Sequence, residues 1–227
     1  MIIAIDGPAG SGKSTIAQAV AARLHLTYVD TGAMYRAVTL IALEKGIPLE
    51  DDDALGSLAL DLDLHLRVAA DGTSMVLIGD REITHDIRQQ VVSRKVSFVA
   101  AHKKVRNALT VRQRRVADLG EAVLEGRDIG TVVCPGADVK IYLTASVEVR
   151  ALRRKRQLEE QGICISAKTL ERELLLRDSH DSGRAVAPLK KARDAVEIDT
   201  SHLRIDEVVE SIVSVVDDVR AKKAEGC

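Results

Sequence analysis

The amino-acid sequence predicts an α/β fold: a parallel sheet flanked by helices, carrying a small antiparallel insertion. Three observations lead there. An apolar run, Ile2-Ile3-Ala4-Ile5, enters the glycine-rich stretch Gly7-Pro8-Ala9-Gly10-Ser11-Gly12-Lys13-Ser14-Thr15, and Ile16, Ala17, Val20, Ala21 and Leu24 then recur at helical spacing. Apolar strand-like runs and helical stretches go on alternating down the chain, the pattern of parallel α/β units. From about residue 61 the period drops to two, with turn signals at Asp71-Gly72 and Gly79-Asp80.

The glycine-rich stretch fits G-x-x-x-x-G-K-[ST], in the strand–loop–helix context that a phosphate-binding loop needs. It predicts a P-loop NTPase fold. Glycines let the backbone bend tightly and turn its N–H groups toward a phosphate. The helix start adds free donors and a partial positive charge. Lys13 can reach the outer phosphates of ATP, and the Ser14 hydroxyl can serve Mg²⁺. Pumps, switches, motors and kinases share such a loop, so the function has to come from the remaining residues.

In chain order, residues 2–5 read as a buried parallel strand and the loop's helix runs to about Leu26. Thr27-Tyr28-Val29 is a second strand ending in Asp30. A helix from Thr31 carries Met34, Val38, Ile41 and Ala42 and stops at Gly46 and Pro48. Leu62, Leu64, Leu66 and Val68 alternate as a strand, Met75 to Ile78 forms another, and Arg81 to Ile83 a third. Consecutive hairpins are foreign to a parallel α/β chain, so residues 58–96 or so read as a small inserted subdomain. Residues 91–119 look like one helix, with Val92, Val96, Val99, Ala100 and Val105 apolar. Ala122-Val123-Leu124 and Val139 to Leu143 are strands, with helices at 146–161 and 167–179 after them. Val196-Glu197-Ile198 is the last strand, 205–222 the last helix, and Lys222 to Cys227 a frayed tail. The core comprises about 1–57, 120–145 and 190–222, and 146–185 is a lid region.

Composition narrows the classes. With 227 residues and 46% hydrophobic content the chain can bury one sizeable core, built on Leu, Val, Ile and Ala because aromatics are only 2%. That scarcity argues against base stacking, and a net charge of -1 offers no general attraction to nucleic acid. Cys134, Cys164 and Cys227 are widely spaced and odd in number, which fits reduced thiols, and neither they nor the six His show metal-ligand spacing. No charged-then-apolar leader opens the chain and no apolar run approaches a membrane span. A cytoplasmic protein is expected.

Four charged clusters stand out, two of them at predicted strand ends, where open α/β sheets bind ligands, one on a helix and one between helices. Arg36, in Asp30-Thr31-Gly32-Ala33-Met34-Tyr35-Arg36, is placed to grip a second phosphate bidentately, or is a surface arginine; Thr31 can also cap its helix. In Gly126-Arg127-Asp128-Ile129-Gly130-Thr131, Arg127 can bind phosphate and Asp128 can accept from an amine, or the two form a structural pair. Arg150, Arg153 and Arg154 share a helical face at which like charges repel, so charge on a transferring phosphoryl group would explain them, as would a solvated face. Arg177-Asp178-Ser179-His180-Asp181-Ser182-Gly183-Arg184 reads as an irregular, hinge-like segment closing arginines over anions, or as a plain turn between helices. Together these describe two phosphate-bearing ligands meeting head to head. A kinase for another nucleotide or a small metabolite fits the same residues, and so, less well, does a nucleotide switch, for which no water-positioning residue is evident.

The motifs Ile5 to Thr15, Asp30 to Arg36, Glu125 to Val133, and Arg177-Asp178 through Asp181, Arg184 and Pro188-Leu189 occur in this order along nearly the whole chain. In them the sequence resembles the bacterial cytidylate kinases of the nucleoside monophosphate kinase family. The resemblance implies a five-stranded parallel sheet, a monophosphate-binding insertion and a monomer. It also implies transfer of the ATP γ-phosphoryl group to CMP or dCMP with Mg²⁺. By resemblance Arg36, Arg127 and Arg184 hold the CMP phosphate. Ser97, Arg106 and Asp128 read the cytosine with help from Thr31, Arg177 and Asp181 face the sugar, and Arg150, Arg153 and Arg154 belong to the lid.

Overall fold

The computed structural model describes residues 1–68 and 74–225; the turn expected at Asp71-Gly72 and the terminal Cys227 lie outside the described residues. Two compact units emerge, one from Met1–Tyr28 with Gly120–Cys227, the other from Val29–Leu119.

The first unit is built on a five-stranded parallel sheet of β1 (Ile2–Asp6), β2 (Thr27–Asp30), β6 (Ala122–Gly126), β7 (Val139–Thr144) and β8 (Val196–Asp199), in the order β2-β6-β1-β7-β8. β1 lies at the centre, parallel to both β6 and β7. Its apolar run is explained by burial on both faces: Ile3, Ala4 and Ile5 have no exposed surface. Helices α1 (Lys13–Leu24) and α8 (Ile205–Glu225) pack together, and Ile16, Val20, Ile212 and Val216 meet Ile3, Ile5, Ile141 and Leu143 in one core. A second apolar cluster joins Ala9 of the glycine-rich loop to Ala151 and Leu158 of α6 (Val147–Glu159) and Leu170 and Leu174 of α7 (Ala167–Ser182).

The second unit holds α2 (Thr31–Glu44), α3 (Asp52–Asp61), α4 (Gln90–Val99) and α5 (Lys103–Ala117) with a three-stranded antiparallel sheet of β3 (Leu64–Val68), β4 (Ser74–Ile78) and β5 (Arg81–Glu82). The period-two stretch thus forms the sheet it predicts. The compact unit is broader than residues 58–96, because Val38, Ile41, Leu55, Ile83, Val92 and Leu109 from helices and sheet share one core.

Three expectations are corrected. Residues 91–119 form two helices, broken at Ala100-Ala101-His102. No Gly or Pro marks the break; instead the His102 ring is held by the Leu49 carbonyl at 2.7 Å and by Asp52 at 3.3 Å. Lys222 to Glu225 are not frayed but belong to α8, where Lys223 pairs with Asp138. The hinge-like stretch 177–182 is instead the last part of α7, and only Gly183 ends it.

Candidate active site

The site grows from the carboxyl end of β1. A Cβ on Gly7 would lie 2.0 Å from the Leu143 carbonyl oxygen, and φ there is +152°, so only glycine lets the loop pass this close to β7. Gly10, at φ +79°, brings the loop against Arg150, whose Cβ would stand 3.2 Å from an added one. The Pro8 carbonyl accepts from the Lys13 ammonium at 2.7 Å and from the Ser11 hydroxyl at 3.1 Å. Gly12 caps α1 without a side chain, so no N-cap side chain competes for the first-turn amides. Lys13 is buried; that burial, with the nearby Arg127 guanidinium, pushes its pKa down to about 7, against the opposing charges of Glu125 and Asp6. Ser14 is exposed beside it.

β6 delivers the next group. Its parallel register sets Ile5 against Glu125 and Asp6 against Gly126. The chain then passes Arg127 and the buried Asp128 into a π-helical turn, Ile129–Val133. Asp6 builds that turn: its two carboxylate oxygens accept the Ile129 and Gly130 amides at 2.8 Å each. Burial pushes the Asp6 pKa up to about 6 although both amides work the other way, and the charge of Asp128 adds to the rise. This organising role of Asp6 was not read from the sequence. Its one signal was a carboxylate ending an otherwise apolar strand. Glu125, also unassigned from sequence, is buried and accepts from the Tyr28 hydroxyl at 2.5 Å.

α7 supplies the partner of Arg127. Asp181 is buried, and its carboxylate accepts from Arg127 Nε at 3.0 Å on one oxygen and from Arg184 on the other. Burial alone would raise its pKa, but Arg127, Arg184 and Arg177 together hold it below the ordinary carboxylate value. The helix persists to Ser182 because these ion pairs replace the apolar stripe that periodicity looks for. Arg127, Arg177, Asp181 and Arg184 therefore form one charged knot.

The three arginines of α6 do not crowd one face in mutual repulsion. Arg150 is buried, donating to the Ala145 and Ala9 carbonyls at 3.0 Å and pairing with Asp178 at 2.6 Å. Arg153 donates to the Thr200 hydroxyl at 2.9 Å and to its carbonyl at 2.5 Å. Arg154 is partly exposed, with Gln157 at 3.4 Å. The charge of Arg150 is answered by Asp178, while Arg153 and Arg154 are turned to separate neutral acceptors.

The Val29–Leu119 unit assembles the remaining candidates. Asp30 caps α2 by accepting the Ala33 amide at 3.0 Å, so the cap is Asp30 and not Thr31, which is buried one residue later. Arg36 donates to the Ile87 carbonyl at 3.3 Å and to the Ser93 hydroxyl at 2.9 Å. Ser97 is buried one turn further along α4. The buried Arg106 of α5 donates to the Ala100 carbonyl at 3.1 Å and lies over the Tyr35 ring, 5.3 Å from its centroid. Arg36 and Arg106 are thus oriented by α4 and by the ring preceding Arg36 in α2.

This geometry has close counterparts in sequence. A family model described as Cytidylate kinase matches residues 3–218. A cytidylate kinase of Exiguobacterium sibiricum is 51% identical over 95% of this chain and 96% of its own length. One of Bacillus licheniformis is 48% identical over 99% and 98%. The chain belongs to the cytidylate kinase family. Among solved structures, a gluconokinase from Sinorhizobium meliloti covers 99% of this chain and 97% of its own, with TM-score 0.51 and 15% identity, a likeness of fold alone. The α/β architecture is therefore shared beyond the family.

Proposed function

We propose that this chain transfers the γ-phosphoryl group of ATP to CMP and dCMP. The observation that carries the reading is the family match over residues 3–218, which spans the phosphate loop and every arginine cluster described above. The glycine-rich loop, residues 7–15, takes the donor phosphates, and Lys13 neutralises charge as it develops on the transferring group. Among the described residues no group of three or more His, Cys, Asp or Glu could cage a metal ion. The exposed Ser14 hydroxyl beside Lys13 suits instead a Mg²⁺ ion shared with ATP phosphates and water, a hard cation with few protein ligands. Bound there, it would neutralise phosphate charge.

On the acceptor side Arg36, Arg127 and Arg184 hold the monophosphate, with Arg177 and Asp181 toward the sugar, and Thr31, Ser97, Arg106 and Asp128 toward the base. Of the α6 arginines, Arg154 is the one whose donors are least committed to the protein, and direct contact with phosphate falls to it first. Residues 146–185 act as the lid and 58–96 as the family's acceptor-side insertion. The protein works as a cytoplasmic monomer on small nucleotides, without nucleic acid or membrane; no helix among the described residues is long and apolar enough to cross a membrane.

Substitutions at two positions test the acceptor assignments. Arg36→Met is expected to raise the half-saturating CMP concentration roughly tenfold or more, as loss of a charge-assisted contact implies, and to leave that for ATP nearly unchanged. Equal losses for both would point to misfolding. For Asp128, the argument is base chemistry. An ionised carboxylate accepts hydrogen bonds and cannot donate, so it welcomes the cytosine amine and repels the uracil carbonyl. A site built to pair a polar group rejects an analogue that leaves it unpaired. Asp128→Ala and, more sharply, Asp128→Asn should lower the CMP-to-UMP ratio of kcat/KM. An unchanged ratio in folded variants would falsify base reading by this residue.

A further inference from the structure

The carbonyl groups at the outside of the phosphate loop are held, and two of the residues behind that hold, Thr200 and Asp178, have no assigned part in nucleotide binding. The Thr200 hydroxyl, buried just past β8, donates to the Ser11 carbonyl at 3.1 Å and lies equally close to the Thr144 carbonyl, while it accepts from Arg153. The Thr200 amide is itself fixed to the Thr144 carbonyl at 2.8 Å. The Ala9 carbonyl accepts from Arg150, whose position is set by Asp178 and the Ala145 carbonyl. The Pro8 carbonyl is taken by Lys13 and Ser11.

These bonds have a directional consequence. Among the described residues there is no cis peptide, and in a trans peptide the carbonyl of one residue and the amide of the next point opposite ways. Fixing the Pro8, Ala9 and Ser11 carbonyls therefore fixes the amides of Ala9, Gly10 and Gly12 on the other side. Gly10 and Gly12 have no side chain to stiffen them and sit at positive φ, so without the anchors their peptide planes would rotate most freely.

We propose that Thr200, directly, and Asp178, through Arg150, are positioning residues for the donor: they orient the Gly12 and Gly10 amides toward the ATP phosphates. The assignment rests on the donor role of residues 7–15 given above, and extends it to side chains outside the loop. It makes the α6 arginines supports of the loop as well as lid residues.

The test measures binding of Mg·ATP and of CMP separately, by calorimetry on the full chain, with a melting curve for each variant. Thr200→Val, which keeps the shape and loses the hydroxyl, should weaken Mg·ATP at least tenfold and leave CMP within twofold. Thr200→Ser, which restores the hydroxyl, should return Mg·ATP to within about twofold of the parent. Asp178→Asn should weaken Mg·ATP at least threefold with CMP again spared. A merely structural role would lower the melting temperature without this donor selectivity. A folded Thr200→Val that binds Mg·ATP like the parent overturns the proposal, as does an equal loss of both ligands. If Thr200→Val does not fold, Asp178→Asn decides by the same criterion. A parent that binds Mg·ATP but does not phosphorylate CMP defeats the proposed function while leaving the anchoring result to stand.

Discussion

Replacing Lys13 by Ala should cut turnover roughly 10²–10³-fold, the cost of losing one preorganised charge at a developing anion. The fold should survive. The ammonium is buried beside the Arg127 guanidinium, and its pKa falls to about 7 from an ordinary 10.5. A lysine shifted downward opposes folding in its charged form: the penalty is complete below about pH 7 and disappears as pH rises toward 10.5. At neutral pH the alanine variant therefore sheds a buried charge as it loses the bond to the Pro8 carbonyl, and the two changes in stability offset one another. The informative pair of measurements is steady-state turnover and thermal melting on the same preparation. Near-parental turnover in a folded Lys13→Ala protein would remove Lys13 from the chemistry.

Asp181→Ala should be the most damaging change to stability. It removes the buried carboxylate that pairs with Arg127 and Arg184 and faces the charge of Arg177. Breaking a buried ion pair from one side costs about 3–5 kcal/mol, which for a chain of this size lowers the melting temperature by roughly 10 °C or more. CMP binding should collapse with it, since two of the three arginines assigned to the acceptor phosphate lose their orientation. The pH dependence gives a separate signature. The Asp181 carboxyl is held below its ordinary 3.8, so its contribution is present in full above that value and fades as pH falls through the lower folded value. Asp181→Asn removes this contribution. Its melting temperature should lie well below the parent's at pH 7, and the gap should narrow below pH 4. A constant gap across that range would show that the arginines do not depend on the carboxylate.

Where the sequence could be read, local rules and tertiary packing agreed. β1 and β6 announce themselves as apolar runs because both faces of a central parallel strand are covered, and the glycines of the loop follow from backbone approach alone. Where reading failed, distant partners decided. Ala100-Ala101-His102 favours helix locally, yet Leu49 and Asp52, some fifty residues earlier, take hold of His102 and split the helix. Residues 177–182 look irregular by composition, yet Arg127 and Arg150 from other elements turn their carboxylates into helix-stabilising contacts. The same limit applies to the candidate site. Arginines stand out in a sequence, but their supports do not declare a role: Asp6 and Asp178 lie inside recognisable motifs with nothing to say what they hold, and Thr200 lies outside any motif.

Ala9 links the phosphate loop to the helices proposed as the lid in a way that charge does not describe. Its methyl group sits in the apolar cluster of Ala151, Leu158, Leu170 and Leu174. The α6–α7 pair and the crest of the loop are thus one mechanical piece. Any swing of these helices must either drag Ala9 out of that cluster or carry the loop along. If the proposed lid closes, it would therefore act on the triphosphate by leverage on the main chain as much as by the reach of arginine side chains.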